Sequence, residues 1–284
     1  HGQPHETNTR SILRQVLDAG ADKKDVLLGF EQEYTLYNQD NHPLGWPKAG
    51  YPEPQGPYYC GVGTGRIAGR ELVEAHTKAC IKAGLLIYGV NAEVMLGQWE
   101  FQIGYRGLDE VADPLTTTDD LWYGRWLMHR LTEQFGIIAS FSNKPMNGDW
   151  NGAGCHTNFS TNEMRHAATG KAAIARILKN LETKHMAHIK LYGEGLDKRL
   201  TGAHETCSIN EFRFGNSDRG ASIRIPLNTA SKGYGYLEDR RPGANCDPYT
   251  VTARLLVTCE GMDESLMAIK RQERIHQNEL IYTC

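Results

Sequence analysis

Acidic side chains set inside apolar, β-favouring runs are the feature that most restricts this chain. Glu31 and Glu33 stand one residue apart in G-F-E-Q-E-Y, with Phe30 and Leu36 close by. In a strand, residues i and i+2 point to one face, so the two carboxylates project side by side. Neighbouring anions on a partly buried face persist only if one is protonated or a cation lies between them. A single pair of this kind would read as a solvated strand face. The pattern recurs, however. Glu93 and Glu100 lie in N-A-E-V-M-L-G-Q-W-E-F-Q across the Gly97 break, and Glu238 lies in G-Y-L-E-D-R-R-P. His156 follows two glycines in W-N-G-A-G-C-H-T-N-F-S-T, which would let a ligand approach the backbone. A lone histidine there is more often a satisfied core residue, and its weight comes from the five embedded carboxylates. This oxygen-rich set suits a hard divalent ion, Mg²⁺ or Mn²⁺, rather than zinc. Hard ions in such numbers usually serve phosphate chemistry, where they neutralise a transferring phosphoryl group.

Arginines support that direction. Arg199, Arg219, Arg224, Arg240 and Arg241 fall around K-R-L-T-G, D-R-G-A-S-I-R-I-P and E-D-R-R-P in the last third. Arginine forks match carboxylate and phosphate oxygens. Any one of them reads as a surface arginine, but the set does not. In a strand, Glu238 and Arg240 share a face. No G-x-x-x-x-G-K-[ST] phosphate loop is present, so a nucleotide would need another scaffold.

The composition excludes several classes. With 31 Lys+Arg against 34 Asp+Glu, the net charge of −3 argues against a nucleic-acid binder working by phosphate neutralisation. The best apolar run, residues 84–90, is too short to span a membrane. Seven scattered cysteines without a C-x-x-C pair read as reduced, buried, cytosolic thiols rather than a zinc site or disulfide framework. The first residue is His1, and no signal-peptide pattern follows it.

Periodicity predicts helices over residues 9–19, 66–83, 118–135 and 171–191, with another after Pro248. In the third, Leu121, Trp122, Trp126, Leu127 and Leu131 are expected on one buried face. Strands are expected over 26–37, 85–95, 98–105, 137–141, 155–160, 221–225 and 234–239. Residues 41–65, rich in proline and glycine, read as a structured loop or flap. Strand pairs separated by long helices, with no Gly-rich βα fingerprint, favour an α+β domain with a mostly antiparallel sheet.

The motifs above, with P-Q-G-P-Y-Y-C-G-V-G, R-L-T-G-A-H-E-T and R-G-A-S-I-R-I-P, occur in one order. Together they resemble the catalytic domain of glutamine synthetases of the eukaryotic (type II) class. The resemblance is clearest over 7–252, the stretch from 260 to 284 diverges, and the whole of 1–284 reads as one catalytic domain. It implies a curved, mostly antiparallel sheet flanked by helices, and ATP-dependent joining of ammonia to glutamate. It further implies that Glu33, Glu93 and Glu100 hold a metal near the glutamate, and that Glu31, His156 and Glu238 hold one near the ATP phosphates. Two or three Mg²⁺ or Mn²⁺ ions are expected. By the same resemblance, Asn151 and Gly152 form the amino-acid loop and Arg199 and Arg240 bind substrate carboxylates. Arg219 and Arg224 face the transferring phosphoryl group. Tyr236, Asn158 and Ser160 form the nucleotide edge, and Glu205 is a flap residue that helps take a proton from ammonium. A cytoplasmic homo-oligomer is implied, a ring assembly often of ten subunits in this class with active sites between neighbours, binding neither nucleic acid nor membrane.

The sequence departs from the family pattern at a few positions. Leu27 and Leu28 stand where an aromatic pair is usual, which predicts weaker stacking on adenine. Leu96, Ala203 and Leu227 also differ, none of them a proposed metal ligand. The small N-terminal β-grasp domain of the family is absent from this sequence, since P-H-E-T-N-T-R at residues 4–10 already resembles the start of the catalytic domain. Two further readings stand beside the ligase: a non-catalytic relative with a structural or regulatory role, and a ligase of the same fold that uses another amine or acid.

Overall fold

The computed structural model describes residues 4–268. Lys270, Arg271, Arg274 and His276 of the expected divergent tail, and Cys284, lie outside the described residues. The strands are β1 (Leu27–Asn38), β2 (Ile87–Ala92), β3 (Gln98–Gly104), β4 (Ile137–Ser140), β5 (Cys155–Ser160), β6 (Phe214–Asn216), β7 (Ile223–Ile225) and β8 (Leu237–Asp239). They form one eight-stranded sheet in the order β2-β3-β1-β5-β8-β7-β6, with β4 also paired to β1. Every pairing is antiparallel except that of β6 with β7, so the expected α+β, largely antiparallel architecture holds.

Register divides the sheet chemically. Phe30, Tyr34, Leu36, Trp99, Phe101, Ile103, Cys155, Phe159 and Leu237 point to one face and join a single buried core. The alternate residues Glu31, Glu33, Glu100, His156 and Glu238 point to the other. The helices are α1 (Thr9–Asp18), α2 (Arg70–Lys82), α3 (Pro114–Phe135), α4 (Asn162–Arg165), α5 (Gly170–Thr183), α6 (His185–Ile189), α7 (Leu196–Arg199), α8 (Leu227–Lys232) and α9 (Pro248–Cys259). Helices α1, α2, α3, α5 and α9 supply side chains to the same core. Burying that apolar face on both partners is the main force holding the layers together.

Several sequence expectations need correction at element ends. Helix α2 starts at Arg70 rather than 66, because Gly69 takes a left-handed φ of 87° and a Cβ there would collide with Leu36. Helix α3 starts one turn early, where Asp113 accepts from the Leu115 and Thr116 amides and Pro114 opens the first turn. Its buried stripe is Leu115, Thr118, Leu121, Arg125, Met128 and Thr132, so the expected face is wrong in part. Trp122 and Trp126 are 41% and 55% exposed, over Arg125 and against Tyr123 respectively. The apolar pattern misled because the stripe that packs carries Thr and Arg. The single helix expected over 171–191 breaks at Lys184, which leaves helical geometry and divides α5 from α6. Strand β2 ends at Ala92, so Glu93 stands just beyond it. Strand β6 had no sequence expectation, being three residues with no alternation.

The proline-rich loop is ordered by a small satellite core. Trp46, Tyr58, Met95, Leu96 and Trp150 pack together, and the Trp46 indole N–H donates to the Leu96 carbonyl at 2.7 Å. Loop and sheet thereby enclose a polar cavity on the face opposite the helices. Among the described residues, no helix is long and apolar enough to cross a membrane.

Candidate active site

The polar face converges on a cavity of about 190 Å³. Antiparallel register sets Glu33 opposite Glu100, and Glu100 opposite Asn91. The Glu93 amide donates to the Gln98 carbonyl at 2.8 Å, which folds Glu93 back over the same row. One carboxylate oxygen from each of Glu33, Glu93 and Glu100 lies within 4.8 Å of the others. All three residues are buried. Their fixed donors are few: Gly154 N–H on Glu33 at 2.6 Å, Val94 N–H and Asn91 on Glu93, and Gln102 on Glu100 at 2.5 Å. Burial first, and then like charge, pushes Glu93 up to about 8. Burial pushes Glu33 up to about 7 against the pull of Arg199. Glu100 rises well above the carboxylate range, from burial and then repulsion by Glu31 and Glu93.

A second triad lies beside the first. Glu31 faces His156 across β1 and β5, with Nδ1 3.2 Å from its carboxylate and 3.5 Å from that of Glu238. Glu31, His156 and Glu238 also offer atoms within 4.8 Å of one another. Here the charge is already matched. Arg224 Nε and Arg240 Nη1 sit 2.6 and 2.5 Å from the fully buried Glu238 carboxylate. Burial, with the positive Arg240, holds His156 well below its usual value and so keeps it neutral.

Arginines form the opposite wall. Arg199 is buried and gives three of its N–H donors to the Arg240 and Arg241 carbonyls and to His156 Nε2. Two donors remain for a ligand. The glycines before His156 make room for this guanidinium: a Cβ on Gly154 would clash with Arg199, and one on Gly152 would meet its Cγ at 2.7 Å. What approaches the backbone there is a side chain of the protein, not the ligand expected from the sequence. Arg219 lies over the Tyr59 ring at 5.2 Å and 3.6 Å from Glu205. Arg241 departs from the set, since it pairs with Asp239 on the core face.

Glu205 stands in a tight turn over residues 203–206, closed by the Thr206 amide on the Ala203 carbonyl at 3.2 Å. His204 and Glu205 both carry positive φ, 52° and 59°. Turns with two left-handed central residues favour Gly, Asn and Asp, and each other residue costs about 1–2 kcal/mol there.

A second cavity, of about 370 Å³, adjoins the first at Asn158. Asn158 donates to Glu31 at 2.8 Å and lines this apolar space with Leu27, Leu28, Phe159, Ser160 and Tyr236. Tyr88 and Tyr105 line it too, so it has aromatic walls although Leu27 and Leu28 are not aromatic.

Asn151, Gly152, Arg199, Glu205, Arg219, Arg224 and Arg240 thus border one cavity with both triads, except that Glu238 sits behind Arg224 and Arg240. Tyr236, Asn158 and Ser160 border the other. Sequence reasoning missed Asn91, Gln98 and Gln102, which also line the acidic cavity. Strand alternation with Glu93 and Glu100 could have found them. Tyr59 lies within the P-Q-G-P-Y-Y-C-G-V-G motif, from which no residue was assigned a role, and Tyr88 and Tyr105 carried no local signal.

The donor chemistry fits divalent ions unequally. Glu33, Glu93 and Glu100 are three crowded carboxylates that a hard cation would neutralise at short range. Glu31, His156 and Glu238 offer a suitable set as well, with Arg224 and Arg240 already neutralising Glu238.

A family model described as the glutamine synthetase catalytic domain matches residues 6–188. The chain is 55% identical over 258 residues to a chloroplastic glutamine synthetase of Chlamydomonas reinhardtii, covering 90% of this chain and 66% of that one. It is 52% identical to a glutamine synthetase of Neurospora crassa, covering 92% and 70%, and 49% identical to one of Saccharomyces cerevisiae, covering 96% and 72%. It therefore spans about two thirds to three quarters of the length of these relatives.

Proposed function

The chain belongs to the glutamine synthetase family, and on that premise we propose that it carries the catalytic domain of a glutamate–ammonia ligase. The reaction joins ammonia to the side-chain carboxylate of glutamate and converts ATP to ADP and phosphate. The observation that carries this reading is the pair of adjoining triads beneath an arginine wall, with an apolar cavity next to them.

A carboxylate is a poor acyl donor because its leaving oxygen is strongly basic. Transfer of the γ-phosphoryl group makes an acyl phosphate with a good leaving group, which ammonia then displaces. The base and sugar of ATP would lie in the apolar cavity along Tyr236, Asn158 and Ser160. Asn151, Gly152, Arg199 and Arg240 would orient the amino acid, and Arg219 and Arg224 would meet the charge that develops on the moving phosphoryl group. Divalent ions held by Glu33, Glu93 and Glu100, and by Glu31, His156 and Glu238, would supply electrostatic neutralisation of the phosphates when bound. Glu205 would accept a proton from ammonium, and its turn would exclude water that hydrolyses the intermediate. Unpaired cysteines, five of the six described being buried, support a reducing compartment, with the cytoplasm as the proposed one. A ring-shaped homo-oligomer with sites between neighbours belongs to the same proposal, and sedimentation of the full-length protein tests it.

The direct test is glutamine formation from glutamate, ammonium and ATP by the full-length protein with Mg²⁺ or Mn²⁺. We expect turnover, and about 10²-fold or greater loss in Arg219→Ala. A folded, assembled protein that forms no glutamine and no γ-glutamyl hydroxamate would refute the reading.

A further inference from the structure

The strained turn over residues 203–206 needs something to hold it, and the structure supplies one side chain that reaches two other segments. His204 Nδ1 is 2.8 Å from Gln55 Nε2, and His204 Nε2 is 2.7 Å from Asp149 Oδ1. Gln55 comes from the proline-rich loop and its amide also donates to Asn151 Oδ1 at 3.4 Å. With the Gln55 amide donating, Nδ1 accepts and the Nε2–H is free to donate to Asp149, as in a neutral ring. The imidazole is 14% exposed, whereas both of its partners, Gln55 and Asp149, are exposed, so the ring is the buried member of each contact. Histidine is among the side chains tolerated at a left-handed position, but the backbone chemistry gives no such allowance to Glu205. Strain of this kind persists only where the surroundings over-determine it.

We infer that His204 is a positioning residue: its imidazole latches the turn to Gln55 and Asp149 and so fixes the Glu205 carboxylate opposite Arg219. Other ties act on the same turn: the Thr206 amide and Oγ1 both donate to the Ala203 carbonyl, Arg240 donates to the Glu205 carbonyl at 3.5 Å, and Arg219 lies 3.6 Å from the Glu205 carboxylate. The arginines hold Glu205 from the sheet side, whereas His204 ties the turn to Gln55 of the proline-rich loop and to Asp149. Losing the latch lets the turn relax toward ordinary backbone angles, which swings the carboxylate of Glu205 away from Arg219. Because Gln55 also touches Asn151, the latch sets the spacing between the flap and the proposed amino-acid loop. The part played by Glu205 in proton removal rests on the reading proposed above; the latch itself does not.

Two measurements on the full-length protein separate these layers. Hydrogen–deuterium exchange of peptides covering 200–208 is followed without ligands in wild type, H204F and Q55L. Exchange about tenfold faster in both variants, with the sheet unchanged, is expected when the restraint is lost. Unchanged exchange in H204F overturns the latch, whether or not the protein makes glutamine. In the second measurement, H204F lowers kcat and raises the KM for ammonium about tenfold or more, while the KM for ATP stays within about twofold. The double variant H204F/Q55L loses little beyond H204F, because both remove one contact. H204N, whose side chain suits left-handed backbone, recovers part of the kcat. A parallel rise in both KM values, or additive losses in the double variant, refutes the positioning role.

Discussion

Burial and repulsion raise Glu33 to about 7 and Glu93 to about 8, against an ordinary glutamate near 4.5. A folded-state value above the unfolded one means that the folded form binds more protons between the two. Stability is then fully present below about 4.5 and declines as pH rises through 7 and 8. We expect the melting temperature in chelator to fall across that window. Mn²⁺ at a hundredfold excess over its dissociation constant should offset the fall by roughly 5 °C or more at pH 8. Glu100→Gln removes one of the three charges, so it should flatten the decline and shrink the Mn²⁺ response. A melting curve for E100Q that tracks wild type in both respects would show that the triad does not act as one charged unit. The same residues were the easiest to read in the sequence, because a glutamate among Phe, Trp and Val violates the usual hydrophobic pattern.

Helix α3 shows how far an element can be read and where reading fails. Its start depends on Asp113, which caps the Leu115 and Thr116 amides at 2.9 and 3.2 Å. Asp113→Ala should cost about 1 kcal/mol, seen as a fall of a few degrees in melting temperature with unchanged activity per folded molecule. Its interior depends on Arg125, a buried residue that no pattern in the sequence marks as such. Arg125 donates to Gln32 at 2.8 Å and to the Ala244 and Cys246 carbonyls at 3.1 and 2.8 Å. It thus joins helix, central strand and the loop after Arg241. Arg125→Met should leave buried acceptors unpaired and destabilise by about 3 kcal/mol or more, measurable by urea unfolding. Trp122 and Trp126 looked like core and are not, since the periodicity of bulky residues does not reveal which face carries a buried arginine. The β-strands β1, β3 and β5 were legible because alternation runs through them; β6, with three residues, offered no alternation to read.

At the scale of the molecule, the sheet sorts function from stability. One face holds the apolar core, the other holds the triads, and register links them so that no strand can slip by one residue without exchanging the two. The candidate site residues could be named from motif order, yet their assembly could not. Strand pairing sets Glu31 against His156, but neither distance nor partner was fixed by sequence spacing. Arg240 meets Glu238 from two residues away, as a shared strand face allows, but Arg224 reaches it only through the pairing of β7 with β8, and the latch at His204 depends on segments far apart in the chain. Acid stability has its own anchor away from the site. Arg254 and Lys184 hold Glu264 down to about 2, so this group contributes stability above about 4.5 that is lost as pH falls toward 2. Glu264→Gln should therefore lower the melting temperature modestly at pH 6 and very little at pH 2, as read by calorimetry.

The polar row across the sheet draws on β1, β3, β5, β7 and β8, from Glu31 near one end of the chain to Glu238 near the other. Bringing such remote strands together requires closing long loops before the contacts repay the entropy, so the chain should fold slowly and through its central strands. The site cannot be built in instalments: a partly folded chain that lacks β8 also lacks Glu238, and one that lacks β1 lacks both Glu31 and Glu33. Ligand binding at this row would consequently report on completion of the whole sheet, and its appearance during refolding would coincide with the last strand to join.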